Sequence, residues 1–280
     1  MENRTLFGEP DELDLPERGS YTEDKYDFIR LYCALFSSGM RYKWKGKRVY
    51  IDLYAGSGKC RIKGTNKVLL GSPLIALSMD VPFDRYIFCE SDQTKMSALK
   101  QRVERLHSLS EIHWVPRDCN GSVEQISALI DRDNLVLCLV DPNDCDIHQD
   151  TLKTLSQTAR GVDFLCLLAT GMDAKRAASY YLQPENTKLD DMLGNAEWRN
   201  RWPAEEQRGE DFGKFLALEF AQSMQQLGYR KTEIADMKLI KLLGKNVPLY
   251  YLALFSKHPK AFEFWAQVLK YAGPQRGLFD

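Results

Sequence analysis

The chain has 280 residues, of which 44% are hydrophobic and 28% charged, and its formal net charge is −1. That length suits one large α/β domain or one domain with an insertion, and the composition excludes a disordered or fibrous chain. Near-neutral charge neither requires nor excludes a nucleic-acid partner. No apolar run approaches the ~18 residues of a membrane span, and no charged-then-apolar leader opens the chain, so a cytoplasmic location without a membrane anchor is expected. The seven cysteines form an odd set without a Cys-x-x-Cys pair. Cys33, Cys89, Cys138 and Cys166 sit in apolar runs and read as small core residues. Cys145 and His148 are the nearest approach to a metal pair, but no second pair accompanies them, so no metal site is expected.

Residues 1–19 are polar and punctuated by Gly8, Pro10, Pro16 and Gly19, which reads as a flexible N-terminus. Ser20 and Glu23 have the spacing of a capping box before an apolar-periodic helix reaching Phe36. A basic run with two aromatics, Arg41 to Arg48, follows. It suits phosphate contact with Tyr42 or Trp44 stacking on a base, although a solvated loop entering the next strand is the simpler reading. The run from Val49 to Asp52 is a β-branched and aromatic strand ending in an acid. Beyond it, Ala55-Gly56-Ser57-Gly58 supplies a tight turn where backbone can approach a ligand. Residues 59–70 form an insertion. Gly71-Ser72-Pro73 then opens a helix, with serine expected as N-cap and proline at the first helical position.

Tyr86 to Cys89 is a second strand, and it too ends in an acid, Glu90, the position from which such folds grip a ribose. A helix is expected from Asp92 to His107 on the period of Met96, Leu99, Val103 and Leu106. Strand Ile112–Val115 leads to Asp118, which either accepts from an adenine amino group or caps the next helix, as Ser122 also could. Leu135–Val140 is a continuous apolar strand of the kind buried on both faces, ending in Asp141-Pro142-Asn143-Asp144. A helix over 149–160 and a strand over 162–169 complete the regular alternation.

Residues 172–208 break that rhythm with Trp198, Trp202 and clustered charges. They read as a helical insertion, either a substrate lid or a subdomain that merely covers the sheet. A long helix spans 211–227. Runs over 237–243 and 249–256, joined by a short Gly- and Pro-containing link, imply an antiparallel hairpin on the edge of a parallel sheet. A final helix spans 259–271. The domain thus covers 20–272, followed by a tail over 273–280.

Three ligand classes suit such a turn. A dinucleotide fingerprint needs a third glycine where Arg61 stands. A phosphate loop needs a glycine at Leu53 and a hydroxyl at Cys60. What survives, Asp52-x-x-x-Gly56-x-Gly58, looks like the first motif of S-adenosylmethionine-dependent methyltransferases, whose cofactor carries no phosphates.

The runs Tyr50–Arg61, Gly71–Leu77 and Tyr86–Glu90, together with Leu139–Pro142, Thr151–Leu155, Gly171, Arg176, Gly194, Trp198 and Tyr250–Pro259, resemble the three-Cys-motif partner family. The resemblance covers about residues 20 to 272, with the long insertion ending in Gly-Ser-Pro as its most specific mark. It implies an α/β fold with a class I methyltransferase-like Rossmann sheet, mostly parallel, with an antiparallel C-terminal hairpin and a helical insertion. It also implies a neighbouring three-cysteine protein similar to radical S-adenosylmethionine proteins as partner. Asp52, Ala55, Gly56, Gly58, Glu90 and Asp118 would bind the cofactor, and Asp141 and Asn143 would serve the acceptor. After Asp141-Pro142 the family usually has an aromatic and a glycine, where this chain has Asn143 and Asp144. Loss of the aromatic removes the stacking by which DNA amino-methyltransferases hold a flipped base, so a nucleic-acid acceptor is less secure. A non-catalytic docking protein for the three-cysteine partner is the alternative. Gln275, Leu278 and Phe279 also resemble the short peptide with which bacterial proteins engage the DNA sliding clamp.

Overall fold

A computed structural model describes residues 6–106, 110–168, 174–242 and 247–272, and leaves the side chains of 174–177 undescribed. In chain order the elements are β1 (Phe7–Gly8), β2 (Glu17–Arg18), α1 (Tyr21–Met40), β3 (Arg48–Asp52), β4 (Lys59–Ile62), β5 (Val68–Leu70) and α2 (Ser72–Leu77). Then come β6 (Arg85–Cys89), α3 (Gln93–Glu104), β7 (Glu111–Val115), α4 (Val123–Ser127), β8 (Leu135–Val140), α5 (Gln149–Thr158) and β9 (Gly161–Leu168). The rest are α6 (Ala174–Tyr181), α7 (Lys188–Leu193), α8 (Trp198–Gln207), α9 (Phe212–Gln226), β10 (Lys238–Leu242), β11 (Val247–Phe255) and α10 (Pro259–Tyr271).

The main sheet has the order β10-β11-β9-β8-β3-β6-β7. Its five central and right-hand strands pair in parallel, whereas β11 runs antiparallel to both β9 and β10. This is the mostly parallel α/β sheet expected from the sequence, its antiparallel hairpin included. The chain reverses direction across the sheet beside β3, so the carboxyl ends of β3, β6 and β8 open one crevice.

Strand β8 shows why the core has two halves. Val136, Cys138 and Val140 point to one face, and Leu135, Leu137 and Leu139 to the other. The first face is covered by α5, α7, α8 and α9, the second by α1, α2, α3 and α10. On the second face Trp265 packs 5.9 Å from Tyr32 and 6.4 Å from Phe28, locking α10 to α1. Among the described residues no helix is long and apolar enough to cross a membrane.

Local details differ from the sequence reading. Ser20 makes no capping bond and already has helical dihedrals, while Glu23 faces Lys67 instead. Gly71, not Ser72, is the N-cap of α2, which moves Pro73 to the second helical position. Helix α3 ends at Glu104, and His107, Gly171 and the hairpin link 243–246 lie outside the described residues. So do the tail residues Gln275, Leu278 and Phe279.

The larger difference is a second sheet. Residues 6–18, read from sequence as flexible, pair with the insertion in the order β1-β5-β4-β2. Phe7 is registered with Leu69, and Arg18 with Ile62. The segment between them is held by Asp11, which accepts from Arg102 Nε at 3.0 Å and from Lys59 Nζ at 3.0 Å. Proline and glycine in 1–19 break regular structure but leave the backbone free to add short edge strands, and the insertion offers the edges.

Candidate functional site

A cavity of about 390 Å³ lies at the carboxyl ends of β3, β6, β7 and β8. Its floor is the turn after β3, and its wall includes Arg18 of β2 and Lys59 and Cys60 of β4. The second sheet therefore closes one side of the crevice that the main sheet opens.

The turn is pinned from both flanks. Ala55 N–H donates to Cys89 O at 2.9 Å, and Gly56 N–H donates to Glu90 Oε2 at 2.9 Å. The other carboxylate oxygen of Glu90 accepts from Asp92 N at 2.9 Å. Each carboxylate oxygen can accept twice, so Glu90 keeps capacity for ligand hydroxyls while fixing the turn that surrounds them.

The two glycines of the turn have different reasons. Gly56 has φ +63°, and a Cβ there would meet no protein atom within 4 Å, because it would project into the open cavity. Gly58 has φ +84°, but its Cβ would stand 2.7 Å from Leu99 of α3. Close helix packing, rather than ligand approach, requires glycine at 58.

Asp52 is placed differently from the sequence reading. It is fully buried and does not line the cavity. Its carboxylate accepts from Tyr50 Oη at 3.2 Å and Tyr54 N at 3.2 Å, beneath the turn. Burial raises its pKa to about 7, a hydrogen bond from Ser72 opposes the rise, and the nearby charge of Asp141 adds to it. Asp52 thus shapes the turn from below.

Asp118 lines the cavity and accepts from Gly121 N at 2.9 Å, in the turn before α4, whereas Ser122 holds the N-cap position of α4 without a side-chain capping bond. Asp141 and Asn143 line the cavity at the end of β8. Asp141 is not free: Lys25 Nζ of α1 donates to its Oδ2 at 2.7 Å, and both side chains are 12% exposed. Lys25 escaped the sequence reading, because a lone lysine on an amphipathic helix gives no sign of a partner 116 residues away.

The rest of that loop is tied to the helical insertion. Asp144 accepts from Tyr181 Oη at 2.9 Å, and Lys188 Nζ bridges Asp144 and Asp146 at 2.6 and 2.7 Å. Trp198 and Trp202 are buried in the core with Phe212, so neither presents a ring to a substrate. Cys145 is buried, which pushes its thiol up to about 12, and His148 is exposed at the start of α5. In the basic run Trp44 donates its indole N–H to Asp133 O at 2.7 Å, and Arg48 forms a bidentate pair with Asp84. The run enters β3 at its amino end, opposite the cavity.

The lysine that follows the turn is not free for a phosphate chain: Lys59 is spent on Glu9 O at 2.8 Å and on Asp11. Five carboxylates line the cavity: Glu90, Asp92, Asp118, Asp141 and Asp146. Four cations, Arg18, Lys25, Lys59 and Lys95, share the lining, and three of them are paired with carboxylates, so a ligand with hydroxyls, an amine and a cationic centre suits the acidic side of the cavity.

No protein-family model and no curated protein sequence matches the chain. Solved structures to which the chain is similar include the magnesium protoporphyrin IX methyltransferase of Synechocystis PCC 6803 with bound SAM. It is 8% identical, with a TM-score of 0.41 over 91% of this chain and 89% of that one. TYW2 of M. jannaschii in complex with AdoMet is 10% identical, with a TM-score of 0.37 over 80% and 74%. An rRNA methylase from Streptococcus thermophilus is 7% identical, with a TM-score of 0.38 over 83% and 93%.

Proposed function

We propose that this chain is an S-adenosylmethionine-dependent methyltransferase that works with a three-Cys-motif protein. The observation that carries the reading is the cavity itself: an acid at the second strand tip grips the glycine turn, a glycine opens its floor, and the lysine after the turn is held by Glu9 and Asp11. Gly56 supports the fit, since a Cβ there would fill space that an adenosyl group needs.

Glu90 would bind the ribose hydroxyls with its remaining lone pairs, and Asp118 would accept from the adenine amino group. Bound there, the cofactor supplies a methyl group activated by a cationic sulfur. The chain's own contribution is alignment and exclusion of water. Asp141, held by Lys25 through Oδ2, presents its other oxygen to an acceptor N–H or O–H, and Asn143 lines the same end of the cavity. The three-cysteine partner and a nucleic-acid acceptor rest on the sequence resemblance alone.

The Lys25–Asp141 pair also favours a second reading. A carboxylate already paired with an internal amine is poorly placed to take the proton of an acceptor, which suits a cofactor-binding protein that docks on its partner without turnover. Transfer of tritiated methyl from S-adenosylmethionine to total RNA, DNA or the purified three-cysteine protein separates the two. Label on any of them supports the enzyme; cofactor binding with no label on all three overturns it in favour of docking.

A further inference from the structure

Four cations line the cavity: Arg18, Lys25, Lys59 and Lys95. Three have carboxylate partners. Lys25 pairs with Asp141 at 2.7 Å, Lys59 with Asp11 at 3.0 Å, and Lys95 lies 3.7 Å from Asp92. Arg18 is the one that has no ion pair among the described residues. Its position is nonetheless built, because its backbone is registered in β2 against Ile62 of β4, and its carbonyl accepts from Lys63 N at 2.9 Å.

The strand order gives the direction in which a ligand would lie. Glu90 and Asp118 stand at the tips of β6 and β7, on one side of β3. Arg18 belongs to the other side: it acts electrostatically on Tyr26, as Asp141 of the β8 tip does, and on Cys60, as Lys25 does. An adenosine held by Glu90 and Asp118 therefore runs its 5′ substituent across the glycine turn toward Arg18.

We propose that Arg18 is the counter-ion of a ligand carboxylate, namely the one on the amino-acid end of the cofactor. The proposal deepens the reading above and rests on it. A half-buried guanidinium without an internal partner binds a carboxylate through charge-assisted, often bidentate hydrogen bonds. An anionic group on the acceptor has the same chemistry, and the test distinguishes the two sources.

The test compares S-adenosylhomocysteine with 5′-methylthioadenosine, which has the adenosyl thioether but no amino-acid end. Calorimetry on the full chain is expected to show S-adenosylhomocysteine binding about tenfold to a hundredfold more tightly, the range of a hydrogen bond to a charged group. Arg18→Met is expected to erase that advantage and leave 5′-methylthioadenosine unchanged, and Arg18→Lys to keep part of it. Unchanged melting of both variants shows that the β2–β4 pairing survives. If Arg18→Met retains full affinity for S-adenosylhomocysteine while Glu90→Ala loses it, the cofactor reading stands and the proposal falls, leaving the guanidinium to an acceptor anion. Equal weakening of both ligands by Arg18→Met also overturns it, as a merely structural role. Wild-type protein that binds neither ligand overturns the cofactor reading and the proposal together.

Discussion

Replacing Arg102 with methionine removes the cation that joins the N-terminal segment to the glycine turn. Arg102 donates from Nε and Nη2 to Asp11 at 3.0 and 2.5 Å, and from Nη1 to Ser57 O at 2.5 Å, with its side chain only 2% exposed. Breaking one half of such a buried pair costs about 3–5 kcal/mol, because the remaining charge is left desolvated. Asp11 would still face Lys59, so the lower end, about 3 kcal/mol, is expected by urea denaturation. A double-mutant cycle with Asp11→Asn isolates the pair, and a coupling of about 2 kcal/mol is expected for groups in direct contact. The Arg102 guanidinium holds the Asp11 carboxyl well below its ordinary range. That depression contributes stability which is present above the unfolded-state pKa of about 4 and lost as pH falls toward the native value. Asp11→Asn should remove this acid-side slope. An Arg102→Met cost below about 0.5 kcal/mol, within the range of ordinary surface changes, or strict additivity in the cycle, would refute the latch.

Gly56→Ala should cost about 1 kcal/mol from its positive φ and, more tellingly, weaken S-adenosylhomocysteine binding by filling the cavity floor; calorimetry with undiminished affinity would count against a ligand there. Asp141→Asn should leave cofactor affinity within about twofold but reduce methyl transfer by at least the ~10²-fold of a positioned proton-handling group, and normal turnover would remove Asp141 from the reaction. Asp163 is buried beneath Tyr32, and burial raises its pKa to about 7. The native state then binds more protons than the unfolded chain between about pH 4 and 7, so stability falls as pH rises through that window and levels off above it, by up to about 4 kcal/mol. Asp163→Asn should reduce that fall and leave the share that Asp52 contributes over the same window; an unchanged slope in pH-dependent denaturation would contradict the assignment.

The fold was legible because its signals are local and periodic. The unbroken apolar run of β8 and the acids closing β3 and β6 announce a doubly wound sheet before any contact is known. The hairpin of β10 and β11 followed from a link too short for a crossover. The second sheet was not legible, since β1 and β2 are two residues each and gain their structure from the insertion's edges.

The site divides in the same way. Glu90 and Gly56 follow motif spacing, and both line the cavity. Asp52 follows it too, yet stands below the floor, because a strand's alternation, not the motif, decides which way its last side chain points. Lys25, Arg18 and Arg102 reach the site from segments far along the chain, and only tertiary packing brings them to the cavity or its turn.

Calorimetric titration of the purified chain with S-adenosylhomocysteine, ATP and NAD, repeated on Glu90→Ala, bears most directly on the whole account. Saturable binding of S-adenosylhomocysteine alone, lost in the variant while its melting transition persists, is the predicted result. Preference for ATP or NAD, or full affinity without the Glu90 carboxylate, would contradict it.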